Sequence, residues 1–187
     1  MNIHELVSDL IVNTKGTADG GFLAITRDSS LGAFLPELVI CLTIVLLLTV
    51  RLFDGLKNFN VFWVALAGSI AGFVLAEPLR LFQGEAILRM EIFTGMLVYD
   101  SFTIYMRLVL LGFAVLFVIF TKLSGIPDRE DAADIYSLVL GATLGMCLMA
   151  SANHLLMVFM AIEMASVPSY VLAGMLKGRR QGSEAAL

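Results

Sequence analysis

From Ile135 to Leu176 the chain carries a single charged residue, Glu163, in 42 positions. As an α-helix rising 1.5 Å per residue, that run would be about 60 Å long, twice the hydrocarbon core of a bilayer. It must therefore fold back once. Its polar cluster, Ser151-Ala152-Asn153-His154, is where a tight helix–helix turn is predicted. Composition agrees with a membrane chain: hydrophobic residues make up 59% of it and charged residues 15%, against about 45–50% and about 25% in soluble domains. The expected fold class is all-α, a polytopic transmembrane helical bundle.

Predominantly apolar runs of about 20 residues predict five spans, about 31–50, 60–76, 101–121, 135–151 and 154–176, with Glu37, Arg107 and Glu163 as the charges inside them. Residues 1–30 form none, because Glu5, Asp9, Lys15, Asp19, Arg27 and Asp28 interrupt them. Within that segment Ile3, Leu6, Val7, Leu10 and Ile11 follow a helical period, which suits a short amphipathic or irregular segment at the interface. It lacks the basic start, continuous apolar segment and small-residue cleavage site of a signal peptide. Residues 77–100 read as a polar connection and 177–187 as a cytoplasmic connection. With the N-terminus outside, the outer segments hold four basic residues: Lys15, Arg27, Arg80 and Arg89. The inner segments then hold seven: Arg51, Lys57, Lys122, Arg129, Lys177, Arg179 and Arg180. The positive-inside rule favours that orientation. The acidic loop with Asp128, Glu130, Asp131 and Asp134 places favourable charge at a helix start.

Glu163 is the leading candidate for function. It lies about nine residues into its span, too deep to reach either interface, and a charge at mid-bilayer costs roughly 2.5–3.5 kcal/mol even on gentle scales. Pro168, five residues on, removes one helical hydrogen bond and frees the carbonyl of Met164. Ser166 and Tyr170 follow Glu163 at three and seven residues, on the same helical face. The stripe is either a place where waters or a partner charge gather, or a protonated glutamate that only packs against a neighbouring helix. His154, with Asn153, reads as a turn residue at the surface, with a role in proton entry as the alternative. Glu37, after Pro36, reads as a helix-start carboxylate. Arg107 reads as an anchor reaching the outer headgroups or Asp100.

Other chemistries find no support. The net charge of −4 comes without a basic tract for nucleic acid, and no phosphate loop, nucleotide-binding glycine pattern or metal-ligand set occurs. Cys41 and Cys147 read as buried small hydrophobes. Gly141, Gly145 and Gly174 read as notches for helix packing.

The segment Asp134–Gly174, with Ser151-Ala-Asn-His154, Ile162-Glu163 and Pro168 inside it, closely resembles subunit N of the proton-pumping NADH-quinone oxidoreductase, respiratory complex I. The tail Arg179-Arg180-Gln-Gly-Ser-Glu-Ala-Ala-Leu187 and the opening Leu35-Pro36-Glu37-Leu38 also fit. The likeness is strong over residues 131–187 and loose over 31–130. It implies an antiporter-like membrane subunit of about fourteen helices, with glutamate, lysine and histidine along the mid-membrane plane. Glu163 falls on the family's fifth-helix glutamate, so the resemblance implies that it pairs with a lysine on a later helix. Related subunits usually carry tryptophan before that glutamate, where this chain has Ile162.

The resemblance further implies a part of a proton-translocating subunit in the cell's inner (plasma) membrane, with the other membrane subunits of complex I and the lipid bilayer as partners. Quinone would react elsewhere in the complex, and this chain would bind no cofactor, metal or nucleic acid. The family continues beyond the position of Leu187 with a lysine and some nine more helices, so the chain reads as a fragment, a truncated product, or a part whose remainder is supplied separately. The rival expectations are a subunit of a multi-subunit sodium/proton antiporter and a structural bundle without transport.

Overall fold

A computed structural model describes residues 30–52, 60–76, 78, 89–125 and 132–174. The interfacial segment expected within 1–30 lies, except for Ser30, outside the described residues, as does the connection expected at 177–187. The described chain is a polytopic all-α bundle. A single turn of helix, α1 (Ser30–Ala33), leads into α2 (Leu35–Leu52), then α3 (Val61–Leu75). Strands β1 (Met90–Ile92) and β2 (Leu97–Tyr99) precede α4 (Ser101–Ser124), α5 (Ala132–Ser151) and α6 (Leu155–Gly174). By length and composition α2, α4, α5 and α6 are each able to cross a membrane, while α3 is apolar but shorter.

Helix ends follow local chemistry. Pro36 lies in the first turn of α2, where a missing N–H costs little. Asp100 caps α4, its carboxylate accepting from the Thr103 N–H at 2.8 Å. Gly125 closes the same helix in the left-handed region, φ 63°. Asp134 stands in the first turn of α5 and pairs with Arg51 at the end of α2. That pair is partly exposed, so it contributes at most about 1 kcal/mol.

The sequence 77–100 holds more than a polar connection. Strands β1 and β2 pair antiparallel, with Met90 opposite Tyr99 and Ile92 opposite Leu97. Phe93, Thr94 and Gly95 turn the chain at positive φ. The hairpin also holds the turn between α5 and α6: the Asn153 N–H donates to the Met96 carbonyl at 2.9 Å, and its side-chain amide donates to the Gly95 carbonyl at 2.9 Å. Phe93 meets Phe34, between α1 and α2, edge to face at 5.2 Å.

Helix α5 is the hub, touching α2, α3, α4 and α6, and twelve of its residues are buried. Helix α6 packs chiefly on α5 and buries only Ala161. In hydrocarbon, helices associate by close packing more than by the hydrophobic effect, so small residues at the contact matter. Gly145 is such a contact: a Cβ there would lie 2.7 Å from the Ala165 nitrogen and 2.9 Å from the Met164 carbonyl carbon. Gly141 faces Pro168 with ordinary clearance, 3.9 Å to the ring. Between Gly141 and Gly145, two of the three notches expected from the sequence, Gly145 is therefore the one the packing requires. Gly145→Ala should destabilise the chain by about 1–3 kcal/mol through overpacking, despite alanine's better helix propensity. Gly141→Ala should stay within about 0.5 kcal/mol. Thermal midpoints of the two variants in detergent check this, and equal shifts would contradict it.

Candidate functional site

Glu163 is the ninth residue of α6. Its side chain is exposed, and no hydrogen bond or ion pair engages it among the described residues. Ser166, half-buried, donates its hydroxyl to the Glu163 backbone carbonyl at 3.4 Å, and Tyr170 is exposed one further turn along. Pro168 sits within the helix, and beside it Ser169 donates to the Ala165 carbonyl at 2.8 Å. The backbone around Met164, whose carbonyl Pro168 deprives of its helical donor, is the stretch seated on Gly145. The close approach of α5 and α6 therefore sets where Glu163 stands. His154 is elsewhere: it precedes α6, is exposed, and its Nδ1 accepts from the Leu156 N–H at 3.3 Å. Nine residues separate it from Glu163, about 13 Å of helix rise. Glu163, Ser166 and Tyr170 share a helical segment, and His154 lies outside that group.

The bundle has a second charged centre, which the residue pattern does not announce. Arg107 was expected to reach headgroups or Asp100, and Glu37 to serve as a helix-start carboxylate. Glu37 does lie in the first turn of α2, but both side chains are buried, 1% and 2% exposed. Arg107 Nε approaches Glu37 Oε1 at 2.5 Å. Arg107 Nη1 donates to the Ala33 carbonyl at 3.0 Å, and the guanidinium lies over the Tyr99 ring, 5.6 Å from its centroid. Asp100 is occupied with its own helix cap. Arg107 falls in register with Ile104, Leu111, Ala114 and Val118, the buried stripe of α4, and a side chain on that stripe points into the bundle. Thus Arg107 ties α4 to the α1–α2 corner.

Cys147 is buried and Cys41 half-buried, both as free thiols. Among the described residues no three His, Cys, Asp or Glu side chains converge as a metal site.

Removing one partner of a buried ion pair strands the other charge, at a cost of about 3–5 kcal/mol, whereas replacing both with apolar groups is often neutral. Arg107→Met should therefore lower the thermal midpoint more than Glu37→Met combined with Arg107→Met. Double variants as unstable as the single one would show that the pair itself stabilises the fold.

No family model matches the chain. Over 158 residues, 83% of its length, it is 35% identical to NADH-quinone oxidoreductase subunit N 2 of Chloroherpeton thalassium. It is 34% identical over 168 residues to NADH-quinone oxidoreductase subunit N of Chlorobium chlorochromatii, and 28% identical over 157 residues to NAD(P)H-quinone oxidoreductase subunit 2 of Gloeobacter violaceus. These matches cover 87% and 83% of the chain, so the likeness extends well beyond residues 131–187. The chain spans 30%, 31% and 30% of the three relatives in turn, about a third of the length of the proteins it matches. Helices able to cross a membrane, packed as a multi-pass bundle, and similarity along most of the sequence together place the chain in the family of NADH-quinone oxidoreductase subunit N.

Proposed function

We propose that this chain forms part of a proton-translocating membrane subunit of NADH-quinone oxidoreductase, and that Glu163 carries the proton-coupled charge. The observation that supports this most directly is the setting of Glu163. It stands mid-helix on α6, exposed and without a partner among the described residues, in a helix that buries only Ala161. A carboxylate at that depth is costly in lipid, so its working partner is a positive group on another helix or subunit packed over α6. A lysine suits the role. Pairing holds the carboxylate charged; separating the pair leaves desolvation to favour the protonated form. Movement of the partner thus loads or releases one proton. Ser166, Tyr170 and the Met164 carbonyl supply polar groups along the same stretch, and His154 at the α5–α6 turn is a secondary candidate for proton entry. In the same reading Pro168 is the point at which the helix kinks.

In this reading the chain holds no redox cofactor, and quinone reacts on other subunits of the complex. The membrane is the cell's inner (plasma) membrane, with residue 1 outside and residue 187 inside. The first test is Glu163→Gln in the full-length subunit within its assembled complex. Proton transport coupled to NADH-quinone reduction should fall on the order of tenfold, equivalent to about 1.4 kcal/mol in a barrier, while the complex remains assembled. Unchanged pumping would refute an essential role for Glu163.

A further inference from the structure

Arg107 is buried but incompletely satisfied. Its Nη1 is bonded to the Ala33 carbonyl. Its Nε touches Glu37 at 2.5 Å without the alignment of a hydrogen bond, and Nη2 has no hydrogen-bond partner among the described residues. Both oxygens of Glu37 share that condition. Buried polar atoms left this way are uncommon, and their usual explanation is an ordered water or ion. Arg107 also lines a small cavity, with Ala33, Pro36, Ala76 and Tyr99 among its other walls. It offers about 20 Å³ of room for the centre of a water molecule, and one water needs about 10–15 Å³ by that measure.

We propose that this cavity binds one ordered water molecule, held by Arg107 Nη2, and that Glu37 and Arg107 form a hydrated ion pair inside the bundle. The water accepts the Nη2 hydrogen. Its own hydrogens pass to backbone carbonyls of the cavity wall. A free ion is a poorer fit, because guanidinium and carboxylate in contact leave no net charge to draw one. The site lies at the hairpin end of the bundle, where α2 begins, α3 ends and α4 begins. Arg107 is the seventh residue of α4, about 10 Å along the helix. Its role is to complete the hydrogen bonding of a charge pair that would otherwise be short of partners, and so to hold the α1–α2 corner on α4. The inference does not depend on how Glu163 works.

A water-resolving map of the intact membrane assembly carrying the full chain tests it directly. A density peak should lie about 2.7–3.2 Å from Arg107 Nη2, unchanged when bromide replaces chloride. An empty cavity with its walls resolved would overturn the proposal, as would a peak that strengthens with bromide. Filling the cavity gives a second, independent reading. Ala76→Val should expel the water and lower the thermal midpoint of the assembly. The same substitution in a Glu37→Met, Arg107→Met background, which has no pair to hydrate, should lower it far less. Equal shifts in the two backgrounds would mean overpacking alone and would overturn the proposal, as would no shift in either.

Discussion

Hydrocarbon solvates an apolar side chain as well as a protein core does, so greasy surface alone cannot hold one membrane helix against another. What remains is close backbone approach and a few polar contacts. The bundle rests on the first of these at Gly145, where the backbone of α6 at Met164 and Ala165 comes too near to admit even a Cβ. Because α5 also meets α2, α3 and α4, this one seat fixes α6 relative to the rest of the helices. Glu163 sits one residue before the seated stretch. Its position in space is therefore a packing result, although its chemistry is that of a carboxylate facing outward.

The two ends of the bundle are secured differently. Arg51 and Asp134 tie α2 to α5 through a partly exposed pair, and Lys122 lies over Phe62 at 5.7 Å where α4 meets α3. Exposed contacts of this kind carry little energy individually. At the other end the hairpin gathers three junctions. Asn153 fastens it to the α5–α6 turn, Phe93 rests on Phe34, and the Val98 carbonyl accepts from the Thr103 hydroxyl at 3.1 Å. The Glu37–Arg107 pair sits just beneath. Burying it carries a desolvation cost, but neither partner can leave without stranding the other, so the pair favours one arrangement of α2 against α4.

Much of the architecture was legible along the chain, and for a physical reason. Crossing hydrocarbon needs about 20 apolar residues, so a 42-residue run with one charge had to contain two helices, and Ser151–His154 was the only place to turn. The inward faces were not legible. Soluble helices show their core side as an apolar stripe, but here α4 is apolar all round, with Phe102, Val109, Phe113, Leu116 and Phe120 exposed outside and Ile104, Leu111 and Val118 buried inside. The spacing that puts Arg107 on the inner stripe was present, yet nothing distinguished that stripe from the exposed ones. The hairpin escaped for a simpler reason: two three-residue strands are too short for alternation to register.

Fold class, approximate span number and the singular position of Glu163 follow from composition read along the chain, because the cost of a charge or a backbone break in lipid is set locally, residue by residue. Partnership does not. That Arg107 meets Glu37 seventy residues away, that Gly145 rather than Gly141 is the tight contact, and that Asn153 holds a hairpin were decided only when the helices packed. Each depends on distances between elements far apart in sequence, and several residues on each helix could have met those distances equally well.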